Sequence, residues 1–427
     1  MANIVGSMLF ETEMLSDIRD KFAYIDYDPY LQKNRLFFDN AGGSLKLKRS
    51  IEAFREFDYF PDHAQRKHAT AKYLADVEKK GLEDIRTLFN AKDGSISMYL
   101  TASQAIFDVT RVIVENIPGN NIVTTQLEHP SAYDSAKFYA DSLGKELRVA
   151  KTNQTTGGVD VEEIISLIDE NTCLLSVIYA SNISGAILDI EKIVSEARKI
   201  KPDLYIVVDS VQHAPHGLID LEKTPVDAMN FAPYKFFGVR GCGITYVSNR
   251  TAKLPLHRLL GKDDGDIQLG SPVPAHFAAI SEIVNYVCWI GSKFSNDTDR
   301  RKLYEEGIER IAMHERALLE ALLDGTSNVE GLRHIPRVTV HLDYEDLTKR
   351  DFIMAISIEG IDYNRAINLY EEKNVIVYER VATSIYSKRM LDSFGLEGAI
   401  RVSPLHCNSI EEIEAFLEVT KKIIEEN

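Results

Sequence analysis

Between residues 95 and 250 the chain alternates short apolar runs with amphipathic segments, and few folds accommodate such a pattern. The runs SISMYL (95–100), NIVTT (121–125), ELRVA (146–150), CLLSVIYA (173–180), LYIVVD (204–209), DAMNFA (227–232) and GITYVS (243–248) read as strands. Helical periodicity fills several of the gaps, in SQAIFDVTRVIVEN, SAYDSAKFYADSLG and DIEKIVSEARKI. Strands with apolar residues on both faces need cover on both faces. The segment therefore predicts an α/β fold with a mainly parallel sheet between helical layers. Asp160 followed by Glu163 reads as a capping box opening the helix VEEIISLIDE.

Beyond residue 250 the pattern changes. A long helical stretch is predicted from about Asp299 to Leu323, followed by strand-like pieces at FIMAISIEG, NVIVY and AIRVSP. Ser409 and Glu412 give a second capping-box signature before the last helix. At 427 residues the chain exceeds one ordinary domain. The expected organisation is an N-terminal segment (1–34), a large domain (35–270), and a long connecting helix with a smaller C-terminal α/β domain (271–427).

A formal charge of -16 argues against a broad electrostatic hold on nucleic acid or anionic membrane, while leaving room for a local basic pocket. No apolar run approaches the roughly 20 residues that span a bilayer. The start, MANIVGSMLFETEMLSDIRD, lacks the basic n-region of a secretory signal. Cys173, Cys242, Cys288 and Cys407 form no CxxC pair, so free thiols in a reducing compartment are expected, and no zinc site. A cytoplasmic protein without metal, membrane or nucleic-acid partner is the expectation.

In open α/β sheets, ligands bind beyond the carboxyl ends of the strands, so the residues following each predicted strand matter most. After SISMYL come Thr101, Ala102 and Ser103, opening a helix; after NIVTTQ, a leucine and then Glu128 and His129. After CLLSVIYA come Ser181 and Asn182, and LYIVV runs into Asp209 with Gln212 and His213 close behind. After DAMNFA comes Lys235 among aromatic and glycine residues. Each has a structural reading of its own: a helix cap, a turn residue, a loop histidine, a lysine whose stem covers apolar surface. Together they supply an anion-binding helix start, a flat stacking group, a buried carboxylate, neutral hydrogen-bonding groups and an amine. That set suits pyridoxal phosphate, whose aldehyde needs a lysine, whose ring nitrogen needs an acid and whose phosphate suits a helix N-terminus.

The same residues carry a family resemblance. LFFDNAGGS (36–44), TASQAI (101–106), LEHPS (127–131), YASNISG (179–185), VVDSVQHAPHGLID (207–220), APYKFFGVRGCG (232–243), QLGSP (268–272) and RVSPLHCNSIEEIE (401–414) follow one another in the order found in the aminotransferase class V branch of fold-type I pyridoxal-phosphate enzymes. That branch contains cysteine desulfurases, isopenicillin N epimerase and kynureninase, and the chain resembles it from about residue 35 to 425. The resemblance implies that Lys235 forms the Schiff base and shuttles protons, Asp209 pairs with the pyridinium nitrogen and His129 stacks on the ring. Gln212 and Asn182 would hydrogen-bond the phenolic oxygen. Ala102, Ser103 and Tyr234 would meet the phosphate, and Ser271 that of a neighbouring subunit in a homodimer. Arg401 would take the α-carboxylate of an amino-acid substrate.

Two positions depart from the desulfurase pattern. Ala232 and Tyr234 stand where desulfurases usually place a phosphate-binding serine and histidine. The stretch YERVATSIYSKRMLDSFG (378–395), where a desulfurase carries its persulfide-forming cysteine, has no cysteine. Arg380, Tyr378, Tyr386, Arg66 and His68 are further candidates for reading the substrate, each with an equally good surface or packing role. The expected activity is a cysteine desulfurase-like C–S lyase without the usual persulfide cysteine, with a class V aminotransferase or amino-acid epimerase as the alternative. A non-catalytic binding protein of the same fold is opposed by the intact Lys235, Asp209 and Arg401.

Overall fold

The computed structural model describes residues 8–61 and 66–427; residues 1–7 of the expected N-terminal segment lie outside them. All seven strands predicted between 95 and 250 form, as β1 (Ser95–Tyr99), β2 (Asn121–Thr125), β3 (Glu146–Ala150), β4 (Thr172–Ile178), β5 (Tyr205–Asp209), β6 (Ala228–Phe231) and β7 (Gly243–Val247). They make one sheet in the order β1-β7-β6-β5-β4-β2-β3. The strands from β6 to β3 run parallel, and β7 lies antiparallel to both β6 and β1. The carboxyl ends of β1, β2, β4, β5 and β6 therefore share one edge.

Alternation along the strands divides the packing between two faces. Leu175, Ile206 and Val208 point into one core with Ile283 and Val287 of the helix Pro274–Gly291. Leu174 and Val207 point into another with Val109 and Val112 of the helix Ala102–Asn116. Each such aliphatic side chain, withdrawn from water, contributes roughly 1.5–3 kcal/mol. The sheet edge is thus a rigid base for side chains placed on it.

The long helix runs Arg300–Asp324 and joins two cores: Tyr304, Ile308 and Ile311 belong to the large one, Leu318 and Leu322 to that of the C-terminal sheet. The C-terminal sheet consists of β8 (Val338–His341), β9 (Met354–Ile358), β10 (Tyr378–Val381) and β11 (Gly398–Val402), antiparallel throughout in the order β8-β9-β11-β10. A two-residue strand at Leu36–Phe37 pairs in parallel with Val375–Ile376, and Asp39 bridges to Ser403. The turn after Leu36–Phe37 is thereby tied to the C-terminal half while lying over the large sheet.

One expected cap forms and one does not. Ser409 and Glu412 make the full reciprocal box. Asp160 caps nothing with its side chain, because its carboxylate accepts from Asn153 Nδ2 at 2.9 and 3.0 Å. Glu163 turns away to accept from the Lys151 N–H, and the helix it opens is only Val161–Ser166.

Candidate active site

The carboxyl edge of the large sheet encloses a cavity of about 360 Å³. Its lining includes Ala102, Ser103, His129, Asn182, Asp209, Gln212, Tyr234 and Lys235, eight of the residues singled out in the sequence. Each arrives by a short local route. The hydroxyl of Thr101 accepts from Gln104 N and starts the helix Ala102–Asn116, whose first N–H groups have no partner within a helix. His129 caps the helix Pro130–Leu143, where Pro130 at the first position needs no N–H partner. Asp209 is the last residue of β5, and Lys235 closes a single 3-10 turn after β6.

The electrostatics of the cavity follow from burial. His129 Nδ1 accepts from the Ser131 N–H at 3.2 Å, which places its proton on Nε2. Burial, and then the positive charge of Lys235, push its pKa down to about 3, so the ring is neutral. Asp209 is 5% exposed and accepts from Val211 N at 3.0 Å and Asn230 Nδ2 at 3.4 Å. Burial raises its pKa, a bias that an opposed cation reverses. Lys235 Nζ lies 3.4 Å from Gln212 Oε1. Burial and then Arg401 bring its pKa down to about 8, against the pull of Asp209. A free amine is therefore accessible near neutral pH, as a nucleophile requires.

The turn Asp39–Ser44 frames this lysine from above. Ser44 Oγ donates to Tyr234 O at 3.1 Å and accepts from Phe237 N at 2.9 Å, bracketing Lys235 on both sides. Phe237 has φ of 59°, a left-handed conformation that costs a bulky residue about 1–2 kcal/mol and that these contacts hold in place. A Cβ on Gly43 would lie 2.7 Å from Arg240 Nη2. Arg240 in turn sits 4.2 Å over the Tyr234 ring and lines the cavity beside Ala102 and Ser103. At that same end a Cβ on Gly243 would overlap Ala102 N, so the glycine lets the strand pass against the helix start.

Arg401 is 2% exposed, on β11. Its Nη2 donates to Asp39 Oδ1 at 2.6 Å and its Nη1 to Asn182 O at 3.3 Å. It lies beside the cavity rather than in its lining, and its charge reaches Lys235. Ser271 is exposed on the segment between β7 and the helix Pro274–Gly291, and does not line its own chain's cavity. Arg66 and His68 precede the helix Ala69–Phe89 without lining it. The backbone oxygen of Tyr386 accepts from Arg380 Nη2 at 2.8 Å, and its ring is exposed.

A family model for aminotransferase class V matches residues 36–416. The chain belongs to the aminotransferase class-V family. It is thereby a pyridoxal-phosphate-dependent enzyme by family. A probable cysteine desulfurase of Borreliella burgdorferi is 25% identical over 418 residues, covering 92% of each chain. An aminotransferase-like protein of Gibberella zeae is 24% identical over 428 residues, covering 96% of this chain and 98% of its own. Among solved structures, the apo cysteine desulfurase of Thermococcus onnurineus superposes with a TM-score of 0.81 at 19% identity, covering 99% of this chain and 100% of its own. That likeness shows the fold-type I architecture.

Within this family member, Asp39, Ser44, Glu128 and Arg240 are the site features that strand-end reasoning did not assign. Glu128 is fully buried; its Oε1 accepts from Thr125 Oγ1 at 2.7 Å and Ile178 N at 2.9 Å. Burial pushes its pKa up to about 8. It joins the ends of β2 and β4 directly behind His129. Arg240 had one available signal, a lone cation in a glycine-rich stretch five residues after the lysine. The thiols are all free and buried. Cys242 lines the cavity with its pKa pushed to about 12 by burial, and Cys407 lies in the large core, its pKa also raised by burial.

Proposed function

We propose that this protein uses pyridoxal phosphate to cleave a C–S bond of a cysteine-type amino acid, as a β-lyase without a persulfide cysteine. The arrangement of Lys235 opposite Asp209 on the sheet edge is the observation that carries the reading. The residues present fit the cofactor. Asn182 Oδ1 is buried with no hydrogen-bond partner among the described residues, and Asp209 is a buried carboxylate whose pKa burial raises against the charge of Lys235. The Ala102 helix start, Ser103, Tyr234 and Arg240 gather at one end of the cavity as an anion site.

Bound there, pyridoxal phosphate supplies a sink for the electrons left when a bond at the substrate's Cα breaks. Lys235 Nζ would hold the aldehyde and would be the group that moves a proton at the substrate's Cα. Asp209 would keep the ring nitrogen protonated, and His129, neutral and flat, would cover the ring face. Gln212 and Asn182 hold the phenolic oxygen. Arg401 takes the α-carboxylate through a fixed fork of N–H donors, a geometry lysine lacks. Ser271, exposed on its segment, reaches the phosphate of a second copy in a homodimer with shared sites. Four free buried thiols support a cytoplasmic setting.

The β-lyase reading rests on the missing acceptor. Residues 378–395 contain no cysteine, and burial holds both Cys242 and Cys407 as protonated thiols near neutral pH. Sulfur then leaves to solvent. The test is product analysis by mass spectrometry after giving the cofactor-loaded protein L-cysteine, with Lys235→Ala as control. Pyruvate with sulfide and ammonia is expected; alanine with released sulfur would mean desulfurase chemistry, and unchanged cysteine would remove the sulfur reading. The match to an aminotransferase-like protein over nearly the whole chain favours transamination as the second reading.

A further inference from the structure

Beside the cavity the C-terminal sheet presents two buried arginines on one face. In the antiparallel register Tyr378 pairs with Arg401 and Arg380 with Ala399. Arg380 and Arg401 are thus diagonal neighbours on the same face, a spacing of roughly 7–8 Å between Cβ atoms that long side chains bridge easily. Tyr378, directly opposite Arg401, has its ring centroid 5.1 Å from that guanidinium, and Ala399, opposite Arg380, adds no bulk on the other side of the diagonal. Arg380 is 5% exposed and Arg401 2%, and the Nε of each is buried without an acceptor among the described residues.

Only one carboxylate answers them directly. Asp39 bonds Arg401 at 2.6 Å, and Gly42 keeps that pair accessible, since a Cβ there would lie 2.8 Å from Asp39 Oδ2 and 3.2 Å from Arg401 Nη2. The charges that act on Lys235 are, in order, Arg401, Asp209, Arg380 and Asp39. Among the described residues, Lys235 and Asp209 are assigned to the cofactor and Arg240 to its phosphate. His129 is neutral, and Glu379 projects from the other face of β10, opposite Ile400. Arg389 is held behind His129 by the backbone oxygens of Gln126 and Glu128, so two guanidiniums and one carboxylate remain among the charges that act on Lys235.

We propose that Arg380, Arg401 and Asp39 form a charge-counting subsite that takes one substrate carboxylate between the two guanidiniums and thereby selects amino acids with uncharged side chains. This rests on the reading that Arg401 receives the α-carboxylate. One carboxylate closes the balance at two positive and two negative charges. A second anionic group on the substrate would meet Asp39 with no cation left for it. At spacings near 7 Å and an effective dielectric constant near 20, such an unmatched charge costs about ten- to fifty-fold in affinity. Asp39 is a specificity-determining residue, and Arg380 a second carboxylate ligand.

The test titrates the cofactor-loaded protein with S-methyl-L-cysteine and with L-cysteine sulfinate, following the initial change in the cofactor's visible absorbance. The two share a Cβ–S framework and differ in side-chain charge. The neutral compound should half-saturate at a concentration at least about tenfold lower, and Asp39→Asn should shrink that ratio about tenfold or more. Equal or tighter binding of the sulfinate to the unaltered protein, or a ratio unmoved by Asp39→Asn, overturns the proposal while leaving the cofactor reading intact. If neither compound changes the absorbance, the amino-acid reading itself fails, and this proposal with it. Should Asp39→Asn not hold the cofactor, Arg380→Gln decides. It should load the cofactor and bind the neutral compound about tenfold more weakly; unchanged binding overturns the proposal.

Discussion

The two sides of the cavity are built differently. The cofactor side stands on the ends of adjacent parallel strands, where Asp209 closes one strand and Asn182 and His129 each follow another within a few residues. The substrate side is assembled from segments far apart in the chain: Asp39 meets Arg401 across 362 residues, and Arg380 comes from the strand beside that of Arg401 in the C-terminal sheet. The first side is fixed by local chain geometry and a deep apolar core. The second is fixed by buried charge. In the proposed reading, one side determines that a reaction at an amino group can occur, the other which amino acid undergoes it.

Predictions that separate the sides run from large to small. Lys235→Ala should lower turnover by at least about 10³-fold and remove the covalent chromophore, read by absorbance and by product formation. Arg401→Lys should instead raise KM by about 100-fold with a smaller change in kcat, because a point charge cannot keep both Asp39 and a carboxylate in fork geometry. If kcat rather than KM falls, the division into cofactor and substrate sides is wrong.

Ser44→Ala tests the contact between the sides. It strands the Phe237 N–H beneath the turn and should cost about 1–3 kcal/mol in denaturant unfolding, with the cofactor absorbance shifted. Glu128→Gln tests the base of the cofactor side. The folded pKa of Glu128 is pushed from 4.5 up to about 8, so between those values the native state holds a proton that the unfolded chain has lost. Its contribution to stability is therefore present below about pH 4.5 and lost as pH rises toward 8. The Gln protein should lose less stability over that window, measured by denaturation at several pH values. Cys407→Ala should have the smallest effect, leaving the products from L-cysteine unchanged because the thiol is sealed in the core.

This contrast also governs what the sequence could reveal. The strands were legible because each is a short apolar run between helical repeats, and their carboxyl ends pointed to Lys235, Asp209, His129 and Asn182. Asp39 was not legible as a partner of Arg401. It sits in a turn, and the pairing of Leu36–Phe37 with Val375–Ile376 and the bridge from Asp39 to Ser403 bring it there. Glu128 read as a neighbour of His129, since nothing local reveals that Ile178 N arrives from another strand to claim its oxygen. The Asp160 cap failed for a related reason: Asn153, seven residues earlier, competes for the same carboxylate.

The central claim is that Lys235 covalently holds pyridoxal phosphate at this sheet edge. The most direct measurement is borohydride reduction of the cofactor-loaded protein followed by peptide mass mapping. A single reduced pyridoxyl adduct on the peptide containing Lys235, absent from Lys235→Ala, is the predicted result. An adduct on a different lysine, or none, would contradict the account.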